Sequence, residues 1–504
     1  MTTILINNFS GGQSEDIREL KTNTYNVALN FDTYTNQALT PYIDMESESM
    51  DTGDITDKRI TDIIIGEVSG SVIGAIGRDS GTDPTSISLY DKTSSTNIAA
   101  SYTYSSGSAL IAGYLAHKNS VAIYLNHIYL ITTEGIARYY DGTWHNLGSV
   151  GTTWQGNGIP RPYRHPADDL LYIAYRNKVY RTNSAGTSIS LYFTFPDKYL
   201  VTSMTNFGSD LACSLCPIYG GKSYVAILDR VSTNTSARDI MDWGEGSLAI
   251  IENIGGVLIG VSSSEILFSP TATYSSSIIK KIIAKGYAGG QVETIKEMIV
   301  PSTVSLTNMK RVKHNRLYFG CNNDDALYAI YKNTNGGWSM NKEYYYANGA
   351  TITTLNGFNF IDDYLFTMFD TAGQAGNFYR TKVGSYYTNT CVFETNINPS
   401  MPVADRTKKK QLKSLSVATI PLPTSAQIVL KYSVDGSAFT EVTTETTDGK
   451  IKIQAINEYT GKPFEAGYEY QFRVESTGYA QITEIKYDYD VLDEIIWQTK
   501  KNNY

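Results

Sequence analysis

Cys213 and Cys216 stand three positions apart in CSLC, a spacing that can hold a metal ion or a redox disulfide. No second CxxC and no nearby histidine accompanies them, and the run DLACSLCPIYGG around them reads as a strand. Residues three apart on a strand point to opposite faces, so the two thiols are expected to be buried and free. With Cys321 and Cys391 they make four cysteines, too few for a disulfide scaffold in a chain of 504 residues. The five histidines, His117, His127, His145, His165 and His314, form neither HExxH nor a His-x-His pair. His127 and His314 each precede an apolar run and read as turn or edge positions. No nucleophile elbow and no Walker-type phosphate loop is present, and the glycine-rich GYAGGQVE at 286–293 has no βαβ unit around it.

Carboxylates are the remaining candidates, because two facing acids can cleave a glycosidic bond. Asp168-Asp169, Asp324-Asp325 and Asp362-Asp363 sit just before apolar strands, in DDLLY, DDALY and DDYLF. A catalytic acid would be singular; repeated ones read as turn-formers that bond their own backbone. NTNGGWSM at 333–340 resembles the Asp-box turn of sialidase-type propellers but lacks its central Asp. No EF-type calcium loop occurs. The expectation is a chain with no catalytic residue, no cofactor and no metal, hence not an enzyme. The alternative from another class is a carbohydrate-binding or glycan-cleaving (sialidase-like) propeller.

The elements that must position these residues are strands. Short runs rich in Val, Ile, Tyr and Thr (SVAIYL, HIYLIT, LLYIAY, RLYFG, ALYAIYK, YLFTMF) alternate with turn signals such as Asp141-Gly142, Asn335-Gly336-Gly337 and Asp362-Asp363. One apolar anchor per unit, Ile73, Tyr129, Tyr172, Leu211, Leu258, Tyr318 and Leu365, recurs about every 49 residues, within the roughly 40–50 of four-stranded propeller blades. Residues 53–388 therefore read as a β-propeller of about seven blades, with six to eight allowed. Residues 1–52 lack the blade pattern and read as an N-terminal extended arm. A linker with a basic run occupies 389–413. The alternating segments KSLSVATIPLP, AQIVLKYSVDG and YEYQFRVESTG predict a β-sandwich over 414–492, with a tail at 493–504. The fold class is all-β.

Charged residues are 18% of the chain and the net charge is −8, which argues against a dedicated nucleic-acid binder. Tyrosine dominates the aromatics, 39 against 16 Phe and 5 Trp, and suits broad semi-polar interfaces. Arg406, Lys408, Lys409, Lys410 and Lys413 form the one dense basic patch. It reads either as a solvated linker or as a contact with an acidic partner. The opening MTTILINNFSGGQSED has no basic n-region, and the most apolar stretch, 63–77, carries Glu67 and four glycines. Neither a signal peptide nor a membrane helix is expected.

The opening NNFSGGQSEDIREL with YNVALNFDTYTNQALTPY, the DGTWHNLG turn at 141–148 and the late KSLSVATIPLP segment together resemble β-propeller virion proteins of tailed bacteriophages, the tail nozzle group of short-tailed phages among them. That resemblance implies a structural protein of the virion tail, assembled in the host cytoplasm. It would stand in a ring, commonly of six copies, that continues the DNA ejection channel below an adaptor or portal-side ring. Tail fibres would be further partners, DNA would pass without sequence-specific binding, and no membrane insertion is implied. Another tail, ring or receptor-contacting protein is the alternative within the class. Phe9, Tyr25, Phe31 and Tyr34 are the expected subunit-interface residues, being aromatic and outside the blades; docking on the chain's own propeller is the competing expectation.

Overall fold

The computed structural model describes residues 1–492 apart from 15–16, 19–23, 35–37, 43–44, 48–58, 69–70, 81–82, 92–95, 104–120, 132–134, 141–142, 150–159, 230–235, 264–278, 287–291, 300–303, 334–335, 346–351, 362–363, 372–373, 382–389 and 457–463. The expected turns at Asp141-Gly142 and Asp362-Asp363, Asn335, and the tail at 493–504 lie outside the described residues. The chain is all-β, and the one helix among the described residues is the single turn Val403–Arg406. It divides into two compact units, Met1–Asp44 with Ile330–Tyr345 and Lys382–Tyr504, and Met45–Ala329 with Tyr346–Thr381.

Among the described residues, seven four-stranded antiparallel sheets of propeller-blade plan follow one another in sequence. Six are built from consecutive strands: Arg59–Val68 to Thr96–Thr103, Val121–Tyr124 to Thr143–Ser149, Tyr163–Arg164 to Ile189–Thr194, Tyr199–Phe207 to Asp239–Glu245, Ser247–Ile254 to Glu293–Ile299, and Ser305–Lys313 to Trp338–Tyr345. The seventh has Ile352–Ile361, Tyr364–Thr371 and Gln374–Thr381, and takes its fourth strand, Met45–Ser47, from the N-terminal part of the chain. From there the chain enters the first strand of the first sheet, so the fourth-to-first passage used between all the other sheets is used here too. All seven apolar anchors lie on the second strand of a sheet, one per sheet.

Local chemistry explains the hairpins. Leu125-Asn126 and His314-Asn315 are two-residue turns with both residues at positive φ, 47° and 60°, 49° and 58°, as a right-twisted hairpin requires. A second turn recurs after the third strand of two sheets. Asn183 and Asn333 each accept the amide of the glycine three residues on, Gly186 or Gly336, at 3.0 Å. Their side-chain oxygens also receive the Thr187 or Gly337 amide at 2.8 and 2.9 Å. The strand Asp210–Pro217 is buried at every position, which is why its sequence lacks polar alternation. Leu211, Cys213 and Leu215 pack towards Tyr172 and Val179 of the third sheet. Ala212 faces Leu248 and Ile251 of the fifth.

The other unit holds a β-sandwich of two five-stranded sheets. One is ordered Thr2–Ile6, Ile482–Val491, Lys410–Thr419, Lys452–Ile456, with Ala466–Gly467 beside Lys410–Thr419. The other runs Tyr25–Leu29, Cys391–Thr395, Tyr470–Thr477, Gln427–Val434, Thr440–Glu445. Tyr470–Thr477 alternates strictly between buried and half-buried, as a strand with one face on a core must. The outer face of that sheet carries a ladder of polar pairs: Asn26 on Glu394 at 3.0 Å, Arg473 on Glu394, and Lys431 on Glu475 at 2.7 Å.

This arrangement corrects the expected boundaries in two places. Residues 1–44 are not an extended arm, because they supply an outer strand to each sheet of the sandwich. Residues 389–413 are not a linker either, since Cys391–Thr395 and the start of Lys410–Thr419 are sandwich strands.

Candidate functional site

The first strands of the third to seventh sheets carry a continuous run of polar side chains, each reaching the next sheet. Tyr163 donates to Asn206 Oδ1 at 2.9 Å and accepts the Asn206 amide at 3.1 Å. One residue earlier, Thr205 donates to Glu252 Oε1 at 2.6 Å. Glu252 also pairs with Lys310 at 2.8 Å. The Lys310 ammonium further donates to the carbonyls of Met204 at 2.7 Å and Ile251 at 2.5 Å, so one amine joins the fourth, fifth and sixth sheets. Arg311 then donates to Asn359 of the seventh at 3.0 Å.

Electrostatics follow from burial. Desolvation lowers the Lys310 amine below the ordinary lysine value; the Glu252 carboxylate opposes this and Arg311 adds to it. Burial raises the Tyr163 phenol to about 12, with the Glu252 charge acting in the same sense. Glu252 receives Thr205, Lys310 and its neighbour's amide (Asn253, 3.1 Å), so its oxygens are engaged as acceptors. The chemistry this belt performs is fastening. Its members were missed in sequence, although a charge inside SLAIIENI and another inside SLTNMKRVK is the signal that could have found them.

Three of the expected interface aromatics face inward. Phe9, Tyr25 and Phe31 are buried in the sandwich core, with Phe9 edge-on to Phe393 at 5.3 Å and Tyr25 beside the same ring. Tyr34 is half-buried and lies against Tyr331, ring centroids 4.6 Å apart and tilted by 49°. Phe9, Tyr25 and Phe31 thus pack within the chain, but on its sandwich strands and not on its propeller sheets as the competing expectation had it. The reason is packing: the chain's own late strands offer an apolar face at which these rings are desolvated. The NFSGG turn is held by Asn8, which accepts the Ser10 amide and hydroxyl at 3.0 and 2.8 Å. Gly12, at φ 83°, lies so close to Ser339 that a Cβ there would stand 2.8 Å from the serine Cβ.

The basic run is divided by the fold. Lys410 is fully buried, and its ammonium donates to the carbonyls of Asp405, Arg406 and Lys408 at 3.0, 3.2 and 2.7 Å. It thereby satisfies the end of the Val403–Arg406 turn. Burial lowers its pKa to about 8, against the pull of Asp405, Asp435 and Glu469. Arg406 folds back to the Met401 carbonyl at 3.1 Å. Lys408 pairs with Asp405 at 3.2 Å and Lys413 with Asp490 at 3.4 Å. Lys409 remains exposed. Of the five cations Lys410 alone is withdrawn from solvent, while Lys408, Lys409 and Lys413 keep accessible side chains.

The other chemistry-bearing residues resolve as packing and turns. All four cysteines are buried thiols outside any disulfide; burial pushes Cys216 up to about 12 and Cys213 up as well. His165 is buried, takes the Ala167 amide on Nδ1 at 3.2 Å and, in the tautomer this assigns, donates from Nε2 to the Asp210 carbonyl at 3.1 Å. Asp168 and Asp324 each accept the hydroxyl of the tyrosine four residues on, Tyr172 at 2.8 Å and Tyr328 at 2.6 Å. They do not occupy equivalent points, however: Asp168 precedes a second strand and Asp324 a third. Among the described residues, no three His, Cys, Asp or Glu side chains come together as metal ligands.

The chain matches no family model and no curated protein. Solved structures with which it shares a partial likeness include hydrazine synthase of Kuenenia stuttgartiensis, at 13% identity and a TM-score of 0.38 over 55% of this chain and 77% of that one. The extracellular domain of a putative hybrid two-component system from B. thetaiotaomicron aligns at 11% identity and a TM-score of 0.40, over 76% of this chain and 44% of that one. A chain of the mitotic checkpoint complex aligns at 10% identity and a TM-score of 0.39, over 68% and 96%.

Proposed function

We propose that this protein is a non-catalytic structural subunit of a tailed-phage virion, one that joins further copies in a ring of the tail-nozzle kind through which DNA leaves. The observation that carries this reading is the seating of the NFSGG turn: Phe9 lies against Phe393, and Ser339 donates to the Gly11 carbonyl at 2.9 Å. The opening motif of the resemblance and the late sandwich thus form one folded unit. The belt on the first strands supports it from the other side, since its acid and amine are consumed in joining sheets. Such a subunit needs rigidity under load more than a reactive group.

Light scattering of the purified chain across a concentration series, with negative-stain images, tests the reading. Rings, or a monomer that converts to rings when virion components are added, support it. A monomer that joins no virion component and retains glycans on an array would replace it with a sugar-binding propeller.

A further inference from the structure

We infer that in such a ring the corner of the sandwich around Lys409 receives the outer strand of the fourth sheet of the next copy. The inference rests on the ring reading and adds the two surfaces that would meet.

The corner is built around Lys410. That residue pairs with Gly467 on one side and Val491 on the other, so the residues just past those strands, Tyr468 and Leu492, lie level with Lys409. The Val403–Arg406 turn is tied to its ammonium. Asn398 bonds the carbonyls of Tyr468 at 3.0 Å and Arg406 at 3.4 Å, which holds the parts of the corner together. The corner nevertheless shows apolar groups to solvent: Val403 is 73% exposed, Tyr468 43% and Leu492 38%. Lys408 is held by Asp405, so Lys409 is the cation it offers. An apolar surface fixed in advance by buried polar bonds costs little ordering when it is covered.

The strand Asp239–Glu245 has the complementary character. It is last in its sheet, so one backbone edge has no neighbour in that sheet. Met241 and Trp243 turn inward, while Ile240 is 59% exposed and lies between exposed Asp239 and Asp242. Asp242 is taken by Lys222 at 2.8 Å and Glu245 stands at the far end of the strand, so Asp239, whose Oδ1 also takes the Ile240 amide at 2.8 Å, is the anion next to the isoleucine. One isoleucine beside a carboxylate thus faces one apolar corner beside an ammonium. The surfaces differ, and a contact between two different surfaces propagates head to tail, closing into rings where the rotation allows.

A charge exchange tests this on the full chain. K409E and D239K alter exposed side chains, so both variants should fold, as circular dichroism would verify. Each alone should raise the concentration of half-assembly about tenfold or more, and the double variant should return to within about threefold of wild type. Single variants that assemble like wild type, or a double variant as defective as either single, overturn the inference and leave the ring standing. A wild-type chain that stays monomeric with and without virion components removes the ring reading and the inference with it.

Discussion

The Lys310 ammonium stands 2.8 Å from the Glu252 carboxylate, each on the first strand of its own sheet, with both side chains largely withdrawn from water. Removing either partner leaves the other charge in a poorly solvated place. K310M or E252Q should each cost about 3–5 kcal/mol of unfolding free energy, whereas K310M combined with E252Q should cost less than the sum. Denaturant midpoints of the four proteins decide it; additive losses would mean that the pair is not coupled.

Because Phe31 is fully buried in the sandwich core, F31A should lower stability by about 3–5 kcal/mol. Deletion of residues 1–44 removes a strand from each sheet and should give a protein that does not fold its sandwich, rather than a folded monomer that fails to assemble. Hydrogen exchange of the strand Tyr470–Thr477 reads this directly. Protection retained at wild-type level in the deletion would contradict the packing described.

Lys410 gives a pH signature. Its amine titrates near 8 when folded, against 10.5 ordinarily, so between those values the folded chain binds fewer protons than the unfolded one. Stability therefore rises with pH across that window, and the burial cost of the charged amine is fully present below about pH 8. Compared with K410M, which cannot titrate there, the wild type should gain about 1–3 kcal/mol between pH 7 and pH 10. Parallel denaturant midpoints for the two proteins over that range would count against a desolvated amine.

The legible parts of the fold were those written in local pattern. Tyr172, Leu258 and Leu365 mark second strands because an apolar strand beside a turn signal is a short-range feature, and seven of them count seven sheets. The N-terminal segment was misplaced for the opposite reason. YNVAL announces a strand, but nothing near it says that Cys391–Thr395 is its neighbour. The charged residues divided along the same line. Lys408, Lys409 and Lys410 look alike in a basic run, and strand register alone decides that Lys410 points at three carbonyls while Lys409 meets water. Glu252 and Lys310 went unnoticed as charges within strands, because their meeting is a tertiary fact.

The return of Met45–Ser47 to the seventh sheet, and of Thr2–Ile6 to the C-terminal strand, sets an order of events during synthesis. Thr3 finds its partner Asp488 485 positions later. At about 5–20 residues per second, roughly half a minute to a minute and a half separates the emergence of the two. Throughout that interval the first strands made have no sheet to join, while the middle sheets, each completed within its own stretch of chain, can already have formed. Among the described strands Thr2–Ile6 thus waits longest for its partner, and a cell that makes this protein must keep an apolar, strand-forming segment from pairing elsewhere until then.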